Sequence, residues 1–227
     1  MDQLRQSQPS RSTDKVIGKF SLLATALLAA LLNVSVAAEV NYQLDLAQVK
    51  QQQAEITMRL TNVEKGPVTI VMASASPGRY ARHDFAKNIF DLRAFDAEAK
   101  PLQLTRTSAA TWQVVADSKD IVVKYRLFAD HADGTYSQID RRHAHLNIPA
   151  TFMFAPAFAA EPVNLSIVNK PQQWRVASQL AQMQGQWRAK NLDDFMDSPL
   201  EISEHQLLSF TQASHGNNYQ INIALHH

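Results

Sequence analysis

Two histidines, His143 and His145, are the residues whose type and spacing best suit a shared metal ion. In an extended strand, side chains two positions apart lie on the same side, so both imidazoles could bind one ion. Such a site needs a third ligand, and the candidates are His83, Asp84 and His131. The alternative is a strand whose polar edge simply carries two histidines. We favour this alternative because a single His-x-His pair lacks the wider ligand spacing of zinc sites. The sequence therefore predicts no metal ligand and no cofactor in this chain.

The same segment carries two arginines, Arg141 and Arg142, directly after Asp140. Paired guanidinium groups can hold a carboxylate through a bidentate fork. The alternative is a set of ordinary surface salt bridges, which are common and individually weak. We take the segment as a candidate binding or interdomain surface formed by Arg141, Arg142, His143, His145 and Asn147.

A second candidate surface follows the turn signal at positions 77 and 78. A sharp turn can present several polar side chains to one cleft. In the alternative, which we favour, Asp84 accepts backbone N–H groups and Phe85 enters the core, so that the loop is only structural. The side chains that would line the cleft are Tyr80, Arg82, His83 and Asp84.

Composition excludes several other chemistries. The 227 residues include no cysteine, so disulfides, iron–sulfur clusters and thiolate sites are absent. No Gly-rich phosphate loop and no G-x-S-x-G motif occur. The formal net charge is +1, which gives no electrostatic reason to expect nucleic acid or anionic lipid as a partner.

The elements that must position these residues are mainly strands. Apolar residues alternate with polar ones along most of the chain after residue 38, for example at Ile121, Val123, Tyr125 and Leu127. With the intervening turn signals, this pattern predicts roughly ten to twelve short strands. We expect an all-β fold, a mostly antiparallel β-sandwich with little helix, over residues 39–227. One short helical turn is predicted at 191–196, with Asn191 as its cap. His226 and His227 are expected to form a tail.

The N-terminus has the order of a signal peptide. A basic leader precedes the apolar run FSLLATALLAALL at 20–32, and small residues follow it. We therefore predict a signal peptide over residues 1–38, cleaved after Ala37 or Ala38, and a periplasmic or secreted product. The alternative is an uncleaved leader, which would be the chain's one link to the membrane.

Three segments together resemble one family. Positions 77–88 read PGRYARHDFAKN, positions 140–154 read DRRHAHLNIPATFMF, and positions 187–201 read WRAKNLDDFMDSPLE. They resemble the segments PGSYxIRDFxRN, HAxxNxxxxFxY and ADYDELVDSPIE in the N-terminal β domain of the glycyl aminopeptidases, metallopeptidase family 61. Arg79 and His83 depart from the Ser and Arg that are usual in this family.

The resemblance implies the β domain of a zinc aminopeptidase. The family binds its zinc in a second domain, through His-Glu-x-x-His and a later Glu, and this sequence contains no His-Glu pair. We therefore expect no catalytic residue in this chain. Two functions stay open: a non-catalytic module that binds a peptide or protein, and one part of a split or truncated aminopeptidase whose His-Glu-x-x-His domain is encoded elsewhere.

The expected partners follow from these two functions. They are a peptide, a separate catalytic subunit or a second copy of the chain. Docking would use the two polar segments and a nearby exposed apolar patch. The residues proposed for that patch are Ile148, Phe152 and Phe154.

Overall fold

The computed structural model describes residues 38–76, 78, 80–131 and 133–226. The predicted signal peptide, apart from Ala38, lies outside the described residues. So do Pro77 and Arg79 of the 77–88 segment, and His227.

Strands account for most of the regular structure. Their alternating apolar residues bury one face, which is what a period of two residues produces. The strands of the described residues are β1 (Val40–Asp45), β2 (Gln53–Leu60), β3 (Gly66–Val71), β4 (Ile89–Asp96), β5 (Leu104–Ser108), β6 (Thr111–Ala116), β7 (Ile121–Phe128), β8 (Gln138–Ile139), β9 (His143–Leu146), β10 (Val163–Val168), β11 (Arg175–Ala177), β12 (Ala181–Met183), β13 (Gln186–Ala189), β14 (Leu200–Ser203), β15 (Gln206–Ser214) and β16 (Asn217–Leu225).

Within the described residues these strands form four sheets. The largest has seven strands in the order β12-β13-β10-β1-β2-β7-β4, and the others are β11-β14-β9-β8, β3-β6-β5 and the hairpin β15-β16. Pairing is antiparallel except between β1 and β10, which run parallel. The predicted mostly antiparallel β fold is confirmed. There are more strands than expected because those of two to four residues are too short to show a period.

One hydrophobic cluster joins the inner faces of three sheets. Ile56 of the seven-stranded sheet, Ile70 of the three-stranded sheet and Ile202 of the four-stranded sheet are fully buried members of it. The hairpin β15-β16 does not contribute to this cluster. The hairpin alone is a two-stranded ribbon, and such ribbons are at best marginally stable in water.

Two buried tyrosines fasten the chain after β9 to the seven-stranded sheet. The Tyr42 hydroxyl donates to the Met153 carbonyl at 2.7 Å. The Tyr125 hydroxyl donates to the Thr151 carbonyl at 3.0 Å and accepts from the Met153 N–H at 2.9 Å. Burial raises the pKa of both tyrosines, so both stay protonated donors.

Helix is scarce, as predicted. The helices of the described residues are α1 (Ile148–Thr151) and α2 (Leu192–Met196), with 3-10 turns at Val49–Gln51, Phe85–Asn88 and Pro156–Phe158. Asn191 caps α2 by accepting the Asp194 N–H at 2.9 Å, which confirms the predicted cap. Among the described residues, no helix has the length and apolar character needed to cross a membrane.

The prediction of an exposed apolar patch around α1 is wrong. Ile148 and Phe152 are fully buried, and Phe154 is only partly exposed. Phe152 packs edge-on against Tyr42 and Phe195, with ring centroids 5.1 and 5.2 Å apart. The segment therefore fills the core beneath the seven-stranded sheet.

Candidate functional site

The loop that contains Tyr80 is exposed and is held at its C-terminal end. Tyr80 and Arg82 are exposed, and His83 stacks on Phe85 with ring centroids 5.3 Å apart. Phe85 is fully buried, as predicted. Within the described residues, Asp84 makes no side-chain capping hydrogen bond to the turn that follows it, so that part of the structural interpretation is wrong. Tyr80 and Arg82 remain available for contacts.

Asn147 ties this loop to the end of β9. Its amide donates to Ser76 Oγ at 3.1 Å and to the Thr135 carbonyl. Its backbone N–H donates to Ser137 Oγ at 3.1 Å. Because Asn147 is buried and bonded on several sides, it holds the segments together and offers little surface to a ligand.

The predicted histidine pair lies on the outer face of the four-stranded sheet. His143 and His145 alternate along β9 with Ala144 and Leu146, which are fully buried. In the antiparallel pairing of β9 with β14, His145 lies directly opposite Glu201. Cross-strand partners share a face, so both imidazoles approach the same carboxylate.

Glu201 stands at the centre of three histidines. His143 Nδ1 lies 3.2 Å from Glu201 Oε1, and His145 Nδ1 lies 3.2 Å from Oε2. His226, which directly follows β16, places Nε2 3.3 Å from Oε1. We call His143, His145, Glu201 and His226 the Glu201 cluster. His226 is therefore part of a site, and its expected role as a free tail is wrong.

These contacts set the charge state of the cluster. Burial opposes ionisation of Glu201, but hydrogen bonds from His143 and His145 outweigh it and lower the pKa of Glu201 to about 2. The hydrogen bond to Glu201 raises the pKa of His143, although burial opposes this. The carboxylate thus stays charged at all ordinary pH values.

Asp140 contacts the Glu201 cluster through the backbone and the ring of His143. Its Oδ1 accepts the backbone N–H groups of Arg142 and His143 at 2.7 and 3.0 Å. Its Oδ2 lies 3.8 Å from His143 Nε2. Burial alone would raise the pKa of Asp140, yet the two backbone hydrogen bonds lower it. The arginine–carboxylate contact expected here is weak: Oδ2 lies 3.9 Å from the largely exposed Arg142 guanidinium.

A cleft of about 720 Å³ opens beside the cluster. Arg141, Arg142 and Arg175 lie on its wall, and Glu204 adds one carboxylate. The cleft lies between the four-stranded sheet and the base of the hairpin, because Gln206 and His226 also line it. The predicted arginine pair, Arg141 and Arg142, is therefore accessible to an anionic group that enters the cleft.

The candidates that the sequence suggested for the third metal ligand do not join the pair His143 and His145. His83 and His131 both contact the Tyr136 ring, at centroid distances of 5.6 and 4.9 Å. Among the described residues, the group whose ligand atoms lie within 4.8 Å of one another is instead His143, Glu201 and His226. Sequence reasoning missed Glu201 because it is 56 residues from His145 and only strand pairing unites them.

The hairpin β15-β16 carries the exposed apolar surface. Its register pairs Leu208 with Ile223 and Phe210 with Ile221, so these residues share one face. The opposite face is mainly polar. We call the following set, each 36–50 % exposed, the apolar hairpin face: Leu208, Phe210, Tyr219, Ile221, Ile223 and Leu225.

Comparison with known proteins connects this fold to peptidases. The family model of the peptidase M61 N-terminal domain matches residues 41–204. A crystal structure of an aminopeptidase N family protein from Idiomarina loihiensis is similar, with a TM-score of 0.73 and 19% identity over 83% of this chain. A structure of an M1 zinc metallopeptidase from Deinococcus radiodurans has a TM-score of 0.41 and 6% identity over 81% of this chain, which is too low to support an argument.

The length of these relatives differs from that of this chain. The chain covers 33% of the Idiomarina protein and 46% of the Deinococcus protein. No curated protein matches the sequence significantly. The family match ends at residue 204, so the hairpin that follows lies outside it.

Proposed function

This chain belongs to the peptidase M61 N-terminal domain family, and we propose that it is an exported, non-catalytic interaction domain that docks on a peptidase catalytic domain through the apolar hairpin face. The signal-peptide pattern predicted at residues 1–38 supports export to the periplasm or secretion. The partner we propose is a separate polypeptide that carries a His-Glu-x-x-His motif.

The apolar hairpin face is the observation that carries this proposal. Six large apolar side chains on one face of a two-stranded ribbon cannot be covered by the ribbon itself, and they remain 36–50 % exposed. A contiguous exposed apolar surface of this kind is typical of an interaction site.

The family supports a peptidase domain as the partner. The matching family model is that of a peptidase N-terminal domain, and this chain covers 33% of the length of the Idiomarina protein. The apolar face follows immediately after the part of the chain that the family shares. A catalytic domain supplied by another polypeptide would bury the side chains of the apolar hairpin face.

Chemistry within the chain gives no reason to assign hydrolysis to it. The Glu201 cluster holds a carboxylate at ordinary pH, but three histidines already occupy its oxygens. In the described residues we find no serine or threonine whose hydroxyl contacts a histidine–carboxylate pair, the arrangement that activates a nucleophile. We therefore propose that any peptidase activity resides in the partner.

The experiment is co-expression with the His-Glu-x-x-His polypeptide of this family from the same genome. We expect the two chains to co-purify as a 1:1 complex. Changing Phe210 and Ile221 together to Ser should abolish co-purification, because it removes a cross-strand pair at the centre of the apolar face. The matched control changes Thr211 and Gln220, a pair on the polar face, to Ser.

Three outcomes would overturn the proposal. One is that no complex forms although both chains are folded. Another is that the Phe210/Ile221 variant binds as well as the control. The third is a homodimer that dissociates in the Phe210/Ile221 variant, since it would assign the face to a second copy of the chain. Circular dichroism of each variant establishes that the β fold is kept.

A further inference from the structure

We propose that the Glu201 cluster is a site for a divalent transition-metal ion of the zinc class, bound by His143 Nδ1, Glu201 Oε1 and His226 Nε2. The proposal does not depend on the docking of the hairpin. It departs from the expectation that the chain holds no metal ligand, and Glu201 and His226 are the two ligands the sequence did not suggest.

The distances fit metal coordination. His143 Nδ1 and His226 Nε2 lie 3.2 and 3.3 Å from the same oxygen, Glu201 Oε1. Zinc bonds to nitrogen and oxygen are about 2.0–2.1 Å, which places neighbouring ligands of a tetrahedron about 3.3–3.4 Å apart. All three candidate ligand atoms lie within 4.8 Å of one another. The spacing therefore suits ligands arranged around an ion.

The donor types select the class of ion. Two imidazole nitrogens and one carboxylate oxygen suit zinc, cobalt, nickel or copper, whereas calcium and magnesium prefer sets made of oxygen alone. Three protein ligands leave a further position open. His143 and Glu201 are fixed on paired strands and are mostly buried, with 12% and 17% of their side chains exposed.

The surroundings orient the ligands as a metal site requires. Metal-binding histidines usually present their second ring nitrogen to a carboxylate or carbonyl. A carboxylate lies on that side of His143, since its Nε2 is 3.8 Å from Asp140 Oδ2, an ionic contact too long for a hydrogen bond. The second oxygen of Glu201 is held by His145 at 3.2 Å. Asp140 and His145 are thus positioning residues for the two buried ligands.

The ion would join two parts of the fold. His143 and Glu201 belong to the four-stranded sheet, whereas His226 directly follows the last strand of the hairpin. A bound ion would therefore fix the base of the hairpin β15-β16 to the outer face of that sheet. Little else in the described core holds the hairpin, whose residues are almost all exposed.

The test uses the full chain, prepared without an affinity tag of histidines and treated with a chelator. Zn²⁺ is titrated by calorimetry, and Co²⁺ is titrated while its visible absorption reports coordination number. We expect one ion per chain and a four-coordinate cobalt spectrum. Glu201→Gln and His226→Ala should each weaken binding at least about 100-fold, and Asp140→Asn about 10–100-fold. The matched control is His215→Asn, in the exposed hairpin turn.

Hydrogen exchange supplies a readout that non-specific binding would not give. Zn²⁺ should slow amide exchange in the hairpin of the native chain and of the His215 control, and should leave the His226→Ala hairpin unchanged. Absence of stoichiometric binding by the native chain would overturn the proposal and leave the cluster an ionic contact only. Undiminished binding by both Glu201→Gln and His226→Ala would overturn it too, because the ion would then lie elsewhere.

Discussion

Replacing Glu201 by Gln in the metal-free protein should destabilise the fold in a pH-dependent way. Gln keeps the size of the side chain and can still accept a hydrogen bond, but it removes the charge that three histidines share. The change therefore isolates the ionic contribution of the Glu201 cluster. We expect a loss of about 1–2 kcal/mol in the free energy of unfolding near pH 5.5.

The magnitude follows from the contacts of Glu201. A pKa lowered from 4.5 to about 2 corresponds to about 3 kcal/mol in favour of the folded carboxylate. The cluster borders an open cleft, where water screens part of each interaction, so we roughly halve this figure. The side chain is still only 17% exposed, which keeps the contribution above that of a surface ion pair.

The sign of the pH dependence is fixed by the direction of the two pKa changes. Because the pKa of Glu201 is lower in the folded protein, its contribution is complete above about pH 5 and is lost as the pH falls towards 2. The pKa of His143 is raised, so its contribution is complete below about pH 6.5 and is lost as the pH rises through its folded-state value. The difference between the two proteins should therefore be largest near pH 5–6.

The assay is urea unfolding with a chelator present, at pH 3, 5.5 and 8. The matched control is Glu204→Gln, an exposed carboxylate on the same cleft, for which we expect a change within about 0.5 kcal/mol. A Glu201→Gln protein as stable as the native chain at pH 5.5 would refute the reasoning. A constant difference between pH 3 and 5.5 would refute it as well.

Three further predictions concern the framework of the site. Tyr125→Phe should cost about 2–4 kcal/mol in urea unfolding, because it leaves the buried Thr151 carbonyl and Met153 N–H without the tyrosine hydroxyl; a cost below 1 kcal/mol would contradict this. Asn147→Ala should speed proteolysis at residues 80–82, which Asn147 anchors through Ser76; an unchanged cleavage rate would show that other contacts hold the loop. Asn191→Ala should cost about 1 kcal/mol by removing the cap of α2, measured against Asn218→Ala, an exposed asparagine of β16, as a control.

Local patterns predicted the elements of the fold well. The alternation at Ile121, Val123, Tyr125 and Leu127 identified a strand, and all four side chains are buried. The cap at Asn191 was also visible, because it depends on neighbours three residues away. Such features are encoded by short-range geometry and can be read from one segment at a time.

Features that depend on a distant partner could not be predicted. Tyr219, Ile221 and Ile223 alternate like the buried strands, yet they remain exposed. Alternation identifies an apolar face and says nothing about whether another element covers it. Glu201 was missed for a related reason, since only the pairing of β9 with β14 places it beside two histidines.

The position of β1 in the seven-stranded sheet has a consequence for the order of folding. β1 pairs on one side with β2, only a few residues away, but on the other side with β10, where Val40 meets Val163. β1 therefore cannot gain its second neighbour until residue 168 has been synthesised, and the sheet is complete only when β13 ends at residue 189. Closing so long a loop is slow, because the chain loses conformational entropy before the stabilising contacts between β1 and β10 can form. During that interval one edge of β1 is unpaired, so the incomplete chain exposes an aggregation-prone strand edge. We expect a chaperone to protect the chain most effectively before β10 pairs with β1.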